Sequence, residues 1–281
     1  MALSRIERPE PDVLGRHGIV LPSQPAVLEE LLHMPDPDDV DVKDVADLIG
    51  RDPGLVAGLF RIARSPVYSR GRQPETVLQV LQVVGLGRSV NLLKTIALRQ
   101  SVQGDPVMLE RFWARSHEIA MRAALIAGER VRVCNVFPDQ AYLAAMFHDC
   151  GVPVLCTRFP NYWRTLNLDD ESAWVDLRRE NQRFNLDHCA VGFLIARHWG
   201  LPGFISEAVG MHHELPEEHS RVRPVVGILQ MATMMYLRRR GTPCREWDRY
   251  RDAWLAEFGL HPDDLAEYMD EIEDRMQLAT H

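Results

Sequence analysis

Apolar positions recur at three- and four-residue spacing along almost the whole chain, and no stretch alternates apolar with polar residues between two-residue turns. The pattern predicts an all-α protein. A first amphipathic segment runs from Ala26, behind Pro25, to Met34 and stops at Pro35; a second runs from about Val42 to Gly50. Asp52 followed by Pro53 is a strong start signal, an Asx cap with proline at the first helical position. It leads into Leu55, Leu59 and Ile62 before Pro66 ends the helix. Pro74, Glu75 and Thr76 open the next helix, which carries Val77, Leu81 and Val84 and ends at Gly85. The pattern resumes over Asn91 to Leu98 after a Gly85-Leu86-Gly87 turn, which lacks the preceding strand and the full glycine fingerprint of a phosphate loop.

Gln103, Gly104, Asp105 and Pro106 form the clearest break in the chain, and a subdomain boundary is placed there. Beyond it, helices are predicted near 110–130, 139–149, 172–183, 187–199, 204–213 and 224–239, with an acidic pair at about 246–258 and 262–276 after Gly241 and Pro243. The expected organisation is a tail over 1–20, an N-terminal helical subdomain over 21–105, a larger helical subdomain over 106–240 and an acidic helical extension over 241–281.

With 281 residues, 46% of them apolar and 26% charged, the chain can bury a substantial core. Arg5, Glu7, Arg8, Glu10 and Asp12 interrupt its start, which rules against a signal peptide, and no stretch is apolar for the length of a membrane span. A cytoplasmic protein with no membrane partner is expected. The net charge of -8 argues against broad nucleic-acid binding, and Arg238, Arg239 and Arg240 fit a helix C-terminus. The five cysteines (Cys134, Cys150, Cys156, Cys189, Cys244) form no CxxC pair and read as small buried groups, not as disulfides or a zinc knuckle. The six tryptophans read as core or interface fillers, and Met231, Met234 and Met235 as adaptable packing.

The chemistry lies in AlaAlaMetPheHisAspCysGly, where His148 and Asp149 look like half of a metal site. A phosphodiester-cleaving ion needs four or more oxygen and nitrogen ligands with open positions for water and substrate. Adjacent helical residues point about 100° apart, so the remaining ligands must come from other helices. His148 shares a face with Ala141, Ala144 and Ala145, His188 with Val191, Gly192 and Ile195, and His212 with Ile205, Ala208 and Val209. All three are therefore placed in the interior, with His213 and Glu214 extending the group; each histidine also has a plain reading as a hydrogen-bonded core residue. His17, His33, His198, His219, His261 and His281 carry no recognisable constellation.

Several stretches resemble the HDOD domain, a divergent relative of the HD phosphohydrolases of bacterial signalling proteins. They are LeuProSerGlnProAlaVal at 21–27, ArgAspProGlyLeu at 51–55, AlaArgSerProValTyr at 63–68, ValValGlyLeuGlyArg at 83–88 and PheTrpAlaArgSer at 112–116. PheHisAspCysGly at 147–151, AsnLeuAspHisCysAlaValGly at 185–192, TrpGlyLeuPro at 199–202 and HisHisGlu at 212–214 continue the series. The resemblance implies an HD-like helical core packed against an N-terminal helical subdomain. It also implies a metal held by an early histidine, the His-Asp pair and a late aspartate. Matched segment by segment, Arg115 stands where the first histidine belongs and Thr233 where the last aspartate belongs, while Val152 replaces a lysine that often follows the pair. His117 is not a shifted ligand, because the stripe of Arg115, Ile119, Ala123 and Ile126 excludes it.

An arginine cannot donate a lone pair to a metal. The expectation is that the Arg115 guanidinium takes the ion's place and forks Asp149. The resemblance then implies a non-catalytic signalling module without a cofactor, acting through a partner protein of unknown identity or through ligand sensing, with a homodimer left open. Two alternatives stand beside it. One is a phosphohydrolase or cyclic nucleotide phosphodiesterase holding Mn, Fe or Zn on His148, Asp149, His188, His212 and His213. The other is a nucleotide sensor without turnover, using Arg115 and the histidines as anion donors.

Overall fold

Short capping side chains set where the helices begin. Asp41, Asp52, Thr76, Asp105, Asp176 and Asp187 each accept a hydrogen bond from a backbone N–H in the first turn of the helix that follows. The computed structural model describes Gly15 and residues 17–34, 40–65, 74–168 and 174–278, and all regular structure among these residues is helical. The expected tail up to Leu14 with Arg16, the stops at Pro35 and Pro66, residues 172–173 and His281 lie outside the described residues.

The N-terminal group comprises α1 (Ala26–Leu32), α2 (Val42–Ile49), α3 (Pro53–Ala63), α4 (Val77–Val84) and α5 (Leu86–Ser101). The second group holds α6 (Pro106–Cys134), α7 (Pro138–Phe147), α8 (Gly151–Arg158), α9 (Tyr162–Thr165), α10 (Leu177–Phe184), α11 (His188–His198), α12 (Gly203–Gly210) and α13 (Arg223–Arg238). The C-terminal pair is α14 (Arg245–Phe258) and, after a 3₁₀ turn, α15 (Leu265–Leu278). Three expectations are corrected. The turn between α4 and α5 is the single residue Gly85, at φ 92°, and Gly87 lies inside α5. The helix expected from 172 starts at Leu177, behind the Asp176 cap. Finally, α8 and α9 went unpredicted, because α8 follows the His-Asp pair after one intervening residue and its apolar residues show no one-sided stripe.

α6 is the axis of the molecule: α7, α13, α14 and α15 pack on it, while α5 joins the N-terminal group to α7, and α11 bridges α8 and α12. One hydrophobic core runs from Leu28 in α1 to Met276 in α15. Polar ties cross between the groups as well: Trp199 Nε1 donates to the Pro22 carbonyl at 2.9 Å, and Asn91 to Asp139 at 2.9 Å. No described helix is long and apolar enough to cross a membrane.

Lys94 makes the most costly of these ties, donating to the Gly200 carbonyl at 2.8 Å from a position only 5% exposed. Burial lowers its ammonium from 10.5 to about 8. Between those values the unfolded chain binds the proton more tightly than the folded one, so this group makes stability rise with pH across the window. The stability of the wild type relative to Lys94→Met should therefore increase by about 2–3 kcal/mol between pH 7.5 and pH 10, read from urea melts at both pH values.

Candidate functional site

Small residues bring the site together. Ala141, Ala144 and Ala145 of α7 are fully buried and allow close packing at the face that ends in the His-Asp pair. The helix ends at Phe147 and the chain continues through a turn in which His148 keeps helical backbone angles, and the two neighbouring side chains meet. His148 Nε2 lies 3.0 Å from Asp149 Oδ2, while His148 Nδ1 faces the Ala145 carbonyl at 2.5 Å. Gly151 then starts α8 against the backbone of His188, at a place where a Cβ would lie 2.2 Å from the His188 carbonyl oxygen.

His188 opens α11. Its Nδ1 sits 2.6 Å from Oε2 of Glu180, a residue with no exposure that also accepts from the His188 backbone N–H at 3.1 Å and from the Tyr162 hydroxyl. His212 Nδ1 faces the Val209 carbonyl at 2.8 Å, and His213 Nδ1 faces Glu246 Oε1 at 2.5 Å. An oxygen acceptor at each Nδ1 places the ring proton there in the neutral imidazole, leaving the Nε2 lone pair free to face inward. His188 Nε2 lies 3.3 Å from His212 Nε2 and 3.1 Å from His213 Nε2. Asp149 Oδ1 lies 3.4 Å from His188 Nε2 and 3.3 Å from His212 Nε2, yet it is buried without a hydrogen bond of acceptable geometry.

Lone pairs held face to face in a dry pocket repel unless a proton or a metal ion lies between them. Tetrahedral Zn–N bonds of about 2.0–2.1 Å give ligand-to-ligand edges of about 3.3–3.4 Å, close to the spacing of this set. His188 Nε2, at 3.1–3.4 Å from His212, His213 and Asp149, thus stands at the centre of a donor set that could hold a single divalent ion. Cys189 Sγ lies 3.5 Å from His188 Nε2 but reaches His212 only at Nδ1, 3.8 Å away, on the side already turned to the Val209 carbonyl. Burial pushes its thiol up to about 12 in the metal-free cluster, but a bound metal deprotonates a coordinating thiol, and the ligand atoms of Cys189, His188, His212 and His213 all lie within 4.8 Å of one another, so Cys189 is a further donor at the edge of the set.

The same contacts set the charges of the metal-free cluster. Burial works to raise the Asp149 carboxyl, but His148, His212 and His188 outweigh it and hold the group well below the usual carboxylate range. Burial and the neighbouring His213 keep His212 neutral, well below the usual imidazole value. For His188 burial opposes the charged form, while Cys189 and Glu180 together carry it well above the usual value. Since Cys189 is a neutral thiol, Glu180 is the partner that counts. Metal-free, this leaves His188 as an imidazolium beside the neutral His212.

Arg115 departs from expectation. It is buried, but no carboxylate lies within ion-pair distance of its guanidinium among the described residues, and its Nε has no hydrogen-bond partner. The guanidinium stacks 4.0 Å from the Trp174 ring centre and 4.8 Å from that of Tyr236. Trp174 Nε1 in turn donates to Asp149 Oδ2 at 2.7 Å. The predicted fork is thus replaced by a relay, because the indole satisfies the carboxylate with its edge and the cation with its face. Burial lowers the guanidinium pKa, with Asp149 and Tyr236 opposing the shift. Thr233 lines a cavity of about 20 Å³ with Arg115, Trp174 and His148, enough for about one water molecule.

All seven sequence-derived positions, Arg115, His148, Asp149, His188, His212, His213 and Thr233, surround one pocket or the cluster beneath it. His117 pairs instead with the Tyr142 hydroxyl at 3.0 Å, outside the cluster. Sequence reasoning missed Trp174, Glu180 and Glu246, which lie on other elements and show no spacing that ties them to the pair, and it read Cys189, next to His188, only as a small buried group.

A helical core with a His-Asp pair at its centre defines the HD-like class, and comparison with known proteins narrows it. The HDOD domain model matches residues 21–215, and the chain belongs to this family. Among solved structures, an HDOD domain protein of unknown function from Geobacter sulfurreducens is 24% identical, covering 93% of this chain and 95% of that one at a TM-score of 0.63. A candidate phosphohydrolase from Shewanella amazonensis SB2B is 19% identical, with 96% and 97% coverage at a TM-score of 0.70. A candidate signal transduction protein from Marinobacter aquaeolei VT8 is 19% identical at a TM-score of 0.68, and this chain covers 62% of it. An uncharacterized protein of Treponema pallidum (strain Nichols) is 21% identical over 218 residues, and the chain spans 42% of its length.

Proposed function

We propose that this chain is a non-hydrolysing signalling module that holds one divalent ion on Asp149, His188, His212 and His213 and communicates through a partner. The observation that carries the reading is the contrast between two neighbouring positions. At one, inward-facing lone pairs stand 3.1–3.4 Å apart. At the other, the buried guanidinium of Arg115 lies stacked on Trp174. The Marinobacter neighbour's description as a candidate signal transduction protein supports the same direction.

A bound divalent ion would supply positive charge that neutralises Asp149 and cross-links the α7–α8 turn, the start of α11 and the turn after α12. Hydrolysis asks for more: an open position for water and room for a phosphodiester. The fixed charge of Arg115 opposes a second cation, and the cavity of about 20 Å³ has room for about one water molecule.

Metal analysis of protein purified without chelator should find one equivalent of zinc, manganese or iron, with no turnover of cyclic dinucleotides or simple phosphodiesters. Arg115→His combined with Thr233→Asp should raise the stoichiometry to two, since it removes the charge and adds two ligands. Two equivalents or turnover in the wild type would overturn the reading, as would a metal-free protein that takes up no added ion.

A further inference from the structure

The C-terminal helix α14 lies beyond residue 215, where the HDOD match ends, yet it reaches into the cluster. Glu246, in its first turn, holds His213 Nδ1 at 2.5 Å and lines the cavity over the site. Deeper in the same helix, Trp254 is fully buried and donates its indole N–H to Gln230 Oε1 at 2.8 Å. Gln230 spends its own amide on the carbonyls of His212, at 2.9 Å, and Glu214, at 3.0 Å. The His212-His213-Glu214 turn is thereby wired to α14 twice: its middle through the His213 side chain, and both its ends through backbone carbonyls held by Gln230, which Trp254 contacts.

The packing keeps α14 in this register. Gly227 of α13 meets the Trp254 ring so closely that a Cβ there would lie 2.8 Å from it. Arg223 pairs with Glu257 of α14 at 2.8 Å and donates to the Pro216 carbonyl at 2.7 Å, anchoring the chain two residues beyond that turn. Beyond α14, the fully buried Arg122 forks Glu273 of α15 at 2.6 and 2.9 Å, which fixes the extension to α6.

We infer that Glu246 is a positioning residue for the ion site, and that docking of α14 and metal occupancy are coupled. The inference rests on the single-ion reading above. Coupling of this kind is reciprocal: whatever draws α14 away weakens the ion by the same factor by which the ion strengthens α14 docking. A partner protein that captures the extension would then act on the metal site without entering it.

The test uses the full chain, Zn²⁺ in competition with a chromophoric chelator, and amide hydrogen exchange over residues 245–258 with and without Zn²⁺. Glu246→Ala should weaken Zn²⁺ about 10–100-fold, the range for loss of a group that orients a ligand, while Glu246→Gln, which keeps an acceptor oxygen, should recover most of it. Zn²⁺ should slow exchange in α14 of the wild type and do so far less in Glu246→Ala. A wild type that binds Zn²⁺ tightly, with Glu246→Ala within twofold of it and α14 exchange unmoved, would overturn the coupling and leave the ion site standing. A wild type that binds no Zn²⁺ would overturn both.

Discussion

Glu180→Ala is expected to lower the unfolding free energy by about 3–5 kcal/mol and to weaken a divalent ion by about 10–100-fold. Glu180 comes from α10 with no exposed surface, and three donors depend on it: the Tyr162 hydroxyl, the His188 backbone N–H at 3.1 Å and His188 Nδ1 at 2.6 Å. Alanine leaves all three in the interior without an acceptor, at about 1–3 kcal/mol each before relaxation. It also releases the ring whose Nε2 stands at the centre of the cluster. Glu180→Gln keeps the volume and one acceptor oxygen, so it should fall between alanine and wild type. Urea melts give the stability and chelator competition the affinity. An alanine variant within about 1 kcal/mol of wild type would show that the network carries no weight.

The helices were legible in the sequence wherever the signal was local. Asp52, Thr76 and Asp105 announce their helices because a cap acts on N–H groups two or three residues away. His148, His188 and His212 could be placed inside because each shares a helical stripe with small or apolar residues. The groups that orient them could not be found this way. Glu180 sits among Arg178, Arg179 and Arg183 on a short helix that reads as a solvated face, yet it is the buried one. Trp174 looked like filler, and its role depends on a contact with Asp149 across 25 residues of chain. The Arg115 fork failed for the same reason: charge matching alone could not see an aromatic ring placed between the partners.

Gly151→Ala is expected to destabilise the chain by at least about 3 kcal/mol and to dismantle the ion site with it. The glycine of the PheHisAspCysGly stretch touches no reacting group; its part is to let the start of α8 lie on the start of α11. A Cβ there would fall 2.2 Å from the His188 carbonyl oxygen and 2.9 Å from its Cα. The obstacle is backbone, so no rotamer can relieve it, and α8 and α11 must separate by about 1 Å to restore van der Waals contact. That displacement carries His188 out of the 3.1–3.4 Å set formed by its Nε2, and metal affinity should fall together with stability. Gly203→Ala is the control. It opens α12 with nothing within 4 Å of the added carbon, and should leave stability unchanged or raised by about 0.4–1 kcal/mol. Thermal or urea melts of both variants with and without Zn²⁺ decide the matter. If Gly151→Ala melts like Gly203→Ala and still binds the ion, the close approach of α8 to His188 is not what shapes the cluster.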